Sequence, residues 1–128
     1  MSEPVVADGA EVVRLRHRSE FLAAARGARV HREPFVLQGL PRGEDDRAGK
    51  IGLGLTVTKK IGGAVVRNRA RRRLREALRL TLPGAARPGA DYVVVARSAA
   101  LSVPFARLQS ELVGAFEQMA PRLDRGRR

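Results

Sequence analysis

Cysteine is absent from the 128-residue chain, and so is tryptophan. Without cysteine there are no disulfides, no thiolate metal ligands and no cysteine nucleophile. The only histidines, His17 and His31, sit in basic surroundings away from any pair of carboxylates, so no histidine-rich zinc site is expected. Aromatic residues make up 4% of the chain, which leaves leucine, valine and alanine to build the core. No apolar run approaches the roughly 20 residues of a membrane-spanning helix. The opening MSEPVVADGAEVVRLR lacks a basic segment followed by a long apolar stretch, so it does not read as a secretory signal, and the expected address is the cytoplasm. Acidic residues are scarce as well: 13 Asp and Glu stand against 25 Lys and Arg, a net charge of +12.

That imbalance is the informative property. An excess of this size on a small chain implies a polyanionic partner, nucleic acid first and an anionic membrane surface second. Arginine supplies 22 of the 25 basic residues, and its planar fork suits bidentate phosphate contacts and base stacking. A hydrophobic content of 44% argues against wholesale disorder, and the length supports one domain.

Along the chain, residues 1–13 carry Pro, Gly and acids without a period and read as a flexible N-terminal arm. Residues 14–121 read as a single nucleic-acid-binding α/β domain and 122–128 as a basic C-terminal tail. Ser19 is expected to cap a short helix ending at Gly27, with Phe21, Leu22 and Ala25 on one face. Two strands follow, over 28–32 and 35–40, then a charged loop over 41–50. The clearest strand is Lys50–Thr58: Ile51, Leu53, Leu55 and Val57 alternate with Gly52, Gly54, Thr56 and Thr58, giving one apolar and one small, polar face. A helix is expected from Ala64 to Leu82, a buried strand over 91–97 (DYVVVAR), and a last helix capped by Ser102 with Phe105, Leu108, Leu112, Phe116 and Met119 at helical spacing.

The helix over 64–82, together with the two lysines just before it, carries most of the charge. At about 100° per residue, Val66, Ala70, Leu74, Ala77 and Leu78 share one arc, while Asn68, Arg71, Arg72, Arg75 and Arg79 take the opposite one. Arg67 lies at the edge of that array, Arg69 and Arg73 flank its other side, and Glu76 is placed to pair with Arg72 or Arg73. From Lys59 to Arg79 nine basic residues stand against one acid, a net +8 of the protein's +12. A charge run is usually a solvated face. Here the like-charge pairs Arg67/Arg71, Arg71/Arg75 and Arg75/Arg79 each cost a few tenths of a kcal/mol with almost no acids to relieve them, which favours a phosphate-bearing partner. Asn68, between two arginines near the helix start, is either a surface side chain or local cap, or a polar contact to a base, sugar or phosphate or to a hydrated metal. The Gly/Thr face of the preceding strand suits a single nucleic-acid strand.

No catalytic constellation accompanies this array. Gly43 to Lys50 has the wrong spacing for a phosphate-binding loop, with Ile51 where a magnesium-binding hydroxyl belongs, and Gly52-Leu53-Gly54 lacks a third glycine. The acidic cluster Glu44, Asp45 and Asp46 reads as a solvated loop tip. No triad, acid–base pair or metal cage is evident, so any chemistry is expected on a partner.

The stretch KKIGGAVVRNRARRRLRE, Lys59 to Glu76, resembles the signature of the bacterial ribonuclease P protein component: a Lys-Lys pair, an Arg-Asn-Arg core, and a basic helix continuing into Arg-Glu. IGLGLTVT at 51–58, Phe35-Val36-Leu37 and DYVVVAR at 91–97 are similar to the family's strands, and the likeness covers roughly residues 14–120. It implies a small single-domain α-β-β-β-α-β-α sandwich, with a mixed sheet and a left-handed β-α-β crossover around the basic helix, against the usual right-handed rule. It also implies the protein subunit of a ribonucleoprotein endoribonuclease that removes the 5′ leader of precursor tRNA. The implied partners are the catalytic RNA subunit and precursor tRNA with its leader. Magnesium is expected mainly on the RNA, with none bound tightly by the protein; neither a membrane partner nor protein oligomerisation is implied. Matched to the motif, Lys59, Lys60, Arg67, Asn68, Arg69, Arg71, Arg72 and Arg75 would face RNA. Phe21, Val36, Gln38, Thr56 and Thr58 would line a leader cleft between the sheet and the basic helix. Relatives often carry two aromatics on the first helix; here alanines occupy 23–25 and Phe21 stands as the one aromatic wall. The competing readings are a general RNA-binding or ribosome-associated protein of the same fold, and an anionic-membrane binder, which the absence of an aromatic edge on the basic helix disfavours.

Overall fold

The structure is a computed structural model, described here for residues 11–42, 49–82 and 86–126. The elements run β1 (Val12–Arg14), α1 (Arg18–Ala25), β2 (Ala28–His31), β3 (Phe35–Pro41), β4 (Ile51–Thr56), α2 (Ala64–Thr81), β5 (Ala90–Ala96), a 3₁₀ turn (Ser98–Leu101) and α3 (Phe105–Gly126). From α1 onward this is the expected α-β-β-β-α-β-α order. The five strands form one mixed sheet in the order β1-β4-β5-β3-β2. β4 pairs parallel with both β1 and β5, and β3 antiparallel with β5 and β2.

One face of the sheet is covered by α2 and α3. Phe35 and Leu37 of β3, Ile51 of β4 and Tyr92 and Val94 of β5 meet Ala70, Leu74 and Ala77 of α2 and Leu108, Leu112, Phe116 and Met119 of α3. Aliphatic side chains dominate this core as expected, and the few aromatics are concentrated in it: the Tyr92 and Phe116 rings pack with centroids 4.7 Å apart and tilted by 53°. The Tyr92 hydroxyl accepts the Arg87 backbone N–H at 2.7 Å, so its polar end is satisfied within the fold. Among the described residues the opposite face is covered by α1, where Leu15, Phe21 and Ala24 meet Val93 and Val95.

β4 connects to its parallel neighbour β5 through α2, and hydrogen bonds fix the hand of that crossover. Ile51 N–H donates to the Glu11 carbonyl at 2.9 Å, and Leu15 N–H to the Leu53 carbonyl at 3.0 Å, so the core-facing residues of β4 turn their peptide groups toward β1. Arg97 N–H donates to the Pro34 carbonyl at 3.0 Å, so the opposite-facing residues of β5 turn theirs toward β3. For L-residues, both observations put β5 to the left of β4 when the strands run upward with α2 in front. The crossover is left-handed, the rare sense.

Several expectations are corrected. The N-terminal arm does not extend to residue 13: Val12 and Val13 belong to β1, and Val12 is buried in the main core opposite Ile51. Residues 1–10 lie outside the described residues, as do Glu44, Asp45 and Asp46. The basic tail does not begin at 122, because α3 continues to Gly126. Its apolar spacing runs on from Met119 to the buried Leu123, Asp124 pairs with Arg87 at 3.0 Å, and the Arg122 guanidinium donates to the Arg29 carbonyl. Ser19 does not start α1; the Glu20 carboxylate instead accepts the N–H groups of Arg16 and His17 at 3.0 and 2.9 Å. Leu22 is exposed and Ala24 takes the buried position. Ser102 closes the 3₁₀ turn, while the Pro104 carbonyl receives the first N–H groups of α3.

Candidate nucleic-acid interface

The basic face is built on α2 by its own buried stripe. Ala70, Leu74, Ala77 and Leu78 are buried against the sheet and α3, so the remaining positions must point outward. The chain enters α2 through a tight turn. Ile61 N–H donates to the Thr58 carbonyl at 3.1 Å, and Gly62 N–H to the Lys59 carbonyl at 3.2 Å. Gly62 has φ +153°, and a side chain there would meet Val66 at 3.0 Å. This turn leaves Lys59 and Lys60 exposed immediately before the helix.

Of the residues singled out from sequence, Asn68, Arg69, Arg72 and Arg75 are exposed and Arg67 and Arg71 are half-buried. Asn68 Oδ1 accepts from the Arg71 guanidinium at 2.9 Å, so the asparagine orients its neighbour. Arg67 Nε is shielded from solvent and has no acceptor among the described residues. Asn68, Arg71, Arg72, Arg75 and Glu76 line a shallow hollow along one stripe of the helix. Partial loss of hydration, then the positive charges of Arg14 and Arg71, lower the proton affinity of the otherwise exposed Arg75 guanidinium. Glu76 does not pair with Arg72 or Arg73. It binds Arg79 through two hydrogen bonds, at 3.1 and 2.6 Å, which hold its carboxyl below the usual range. The one acid of the helix is thus engaged at its C-terminal end.

Arg73 departs from the array. Its guanidinium donates to the carbonyls of Leu101 (2.8 Å) and Val103 (2.5 Å), tying α2 to the segment that enters α3. Arg73→Ala should therefore lower unfolding free energy by about 1.5–3 kcal/mol, since both bonds come from a charged donor. Arg72→Ala, on the solvent side, should change it by no more than about 0.5 kcal/mol. Parallel denaturant titrations check this, and equal losses in the two variants would contradict the distinction.

The other expected surface lies across the sheet. On the face that carries α1, the strand register aligns His31, Val36, Val95 and Thr56 in one row and Arg29, Gln38, Val93 and Gly54 in the next. α1 sits over the second row. A Cβ at Gly54 would stand 2.6 Å from the Phe21 ring, so glycine is what lets the helix approach there. The first row is less covered: Val36, Val95 and Thr56 are half-buried and His31 is exposed. Val36, Gln38 and Thr56 thus share the face of the sheet on which the Phe21 ring packs. Thr58 does not join them, because β4 ends at Thr56 and Thr58 is an exposed turn residue. The expected cleft is not walled by the basic helix either. α2 packs on the opposite face of the sheet, so α1 is the helix beside these residues, and the turn carrying Lys59 and Lys60 leads from the end of β4 to α2. Sequence reasoning missed Val95, hidden in a run that reads as buried on both sides. It also missed Arg14, which only the pairing of β1 places near α2.

A small mixed sheet with a left-handed crossover and an arginine-lined helix on one face defines a polyanion-binding α/β domain. Comparison with known proteins agrees with that class. The family model described as Ribonuclease P matches residues 10–120. The ribonuclease P protein component of Caulobacter vibrioides is 48% identical over 113 residues, covering 88% of this chain and 74% of that one. Its counterpart in Brucella suis is 41% identical over 123 residues, covering 92% and 87%. Among solved structures, the RNase P protein from Thermotoga maritima superposes with a TM-score of 0.67 at 28% identity, covering 83% of this chain and 96% of that one. The RNase P protein of Staphylococcus aureus gives 0.67 at 24% identity, with 86% and 96% covered. The chain belongs to the ribonuclease P protein family. That membership favours a ribonuclease P subunit over a general RNA-binding protein of the same fold.

Proposed function

We propose that this chain is the subunit that binds the catalytic RNA of ribonuclease P through α2 and the turn before it, and holds the 5′ leader of precursor tRNA along a groove beside α1. The observation that carries this reading is the outward face of α2. Its one acid is paired with Arg79, and no ion pair engages Lys59, Lys60, Arg69 or Arg72 among the described residues. Such a face gains most from a partner whose phosphates supply the missing negative charge. Among the described residues no three His, Asp or Glu side chains converge into a ligand set. In this reading the magnesium that leader removal requires sits with the RNA, and the chain supplies guanidinium charge around it. None of the helices described is long and apolar enough to cross a membrane, and the place of action in this reading is the cytoplasm.

The test is reconstitution with a bacterial ribonuclease P RNA, following precursor tRNA cleavage over a range of magnesium concentrations. The protein should raise cleavage most at low magnesium, where arginine substitutes for screening cations. Cleavage unchanged by the protein at every magnesium concentration would end the assignment. The groove has its own readout. Base–aromatic stacking is worth roughly 1–3 kcal/mol per base, and Phe21 is the single aromatic wall. Phe21→Ala together with Thr56→Val should shrink the holoenzyme's preference for leader-bearing precursor over mature tRNA while assembly with the RNA stays intact. An undiminished preference would remove the groove from the mechanism.

A further inference from the structure

The edge of the sheet beside α2 carries a cation that the helix signature does not include. β1 places Arg14 opposite Leu53 of β4. Alternation sends Val12 into the main core, on the α2 side of the sheet, and so returns Arg14 to that same side. Arg14 is exposed, and it lies near enough to Arg75 to depress its proton affinity, as Arg71 does from within the helix. Arg71 and Arg75 line the hollow on α2, and Asn68 fixes the Arg71 guanidinium at its margin. Glu76, the one carboxylate of that hollow, is bound to Arg79. Arg14 of β1 and Arg71 and Arg75 of α2 thus stand on one side of the sheet, Arg14 at its edge and the other two in the hollow, and the local acid is turned to another partner.

Resting on the reading of α2 as an RNA-binding helix, we propose that Arg14, Arg71 and Arg75 form one phosphate site, which pins a single backbone phosphate of the catalytic RNA between β1 and α2. A phosphodiester has two free oxygens, which a pair of guanidinium forks can hold from different sides. Proximity of like charges is unfavourable in the free protein and is relieved when the anion arrives. The source is the catalytic RNA rather than the leader, because the groove lies on the other face of the sheet. Binding at this site also clamps β1, whose attachment to β4 includes the Leu15 N–H bond to the Leu53 carbonyl.

The experiment uses the full chain, the catalytic RNA, and the variants Arg14→Gln, Arg75→Gln and the double variant. Each single change should weaken RNA binding roughly tenfold, the size of one charge-assisted contact. The double variant should lose little more than either single one, because both residues hold the same phosphate. Arg14→Gln should also raise the melting temperature of the free protein, and should abolish the slowing of hydrogen exchange at Leu15 N–H that RNA confers on the unsubstituted chain. Losses that multiply to roughly a hundredfold in the double variant, or an Arg14→Gln protein that binds normally, would overturn the shared site. Arg69→Gln and Arg72→Gln separate the two levels. If they weaken binding and Arg14→Gln does not, only this site falls; if all three are silent, the RNA-binding reading of α2 falls with it. A loss in Arg14→Gln seen only with leader-bearing precursor would overturn the assignment to the catalytic RNA.

Discussion

Raising monovalent salt from about 50 to about 200 mM should weaken binding of this chain to the catalytic RNA by roughly 10³- to 10⁵-fold, as for a protein that neutralises about 6–10 phosphates. The surface is sized for that number. Lys59, Lys60, Arg67, Arg69, Arg71, Arg72 and Arg75 lie along one turn and one helix, with Arg14 beside them. Each neutralised phosphate releases condensed counterions, and the gain from that release shrinks as bulk salt rises. The measurement is the logarithm of the dissociation constant against the logarithm of salt concentration. A slope equivalent to only about two phosphates would show that most of this face is ordinary solvated surface. Arg72→Ala should reduce the slope by about 1 without altering the fold.

The second large effect concerns the support beneath the array. Leu74→Ala should lower unfolding free energy by about 2–5 kcal/mol, a large part of the roughly 5–15 kcal/mol that holds a domain folded. Leu74 has no solvent-accessible surface and lies among the buried residues that join α2 to the sheet and α3. Truncation leaves a cavity which the packed layers can only partly close. In a urea titration the midpoint should fall with the slope unchanged. At low temperature, where the variant is still folded, RNA affinity should stay near that of the unsubstituted chain, because no phosphate-facing side chain has been altered. A variant that lost affinity while remaining folded and stable would show that Leu74 positions the array rather than merely anchoring it.

Much of this architecture was legible because it is local. The alternation at 51–57 and the apolar arc at Val66, Ala70, Leu74, Ala77 and Leu78 each specify an element from a few neighbouring residues. The hand of the crossover came from the family resemblance alone, since nothing in the periodicity of α2 says on which side β5 will pair. β1 was missed because three residues have no readable period; its strand character comes from pairing with Ile51, Gly52 and Leu53, far along the chain. Arg73 could not be told from Arg72 by charge, because what separates them is a pair of carbonyls at Leu101 and Val103. The side of the sheet that α1 covers depends on whether Gly54 admits the Phe21 ring, a tertiary fact. The same contact explains why the groove was misplaced beside the basic helix.

The reversed hand of the crossover has a geometric consequence for any RNA that engages both surfaces. One β-sheet, with neighbouring layers packed about 10 Å from it, stands between the backbone gripped by α2 and a strand lying in the groove. Among the described residues, the turn at the end of β4 leads from one to the other. The protein then acts as a spacer of fixed thickness, setting how far apart two RNA segments run and at which end they draw together. A gauge of this kind needs rigidity in the sheet more than affinity at either surface.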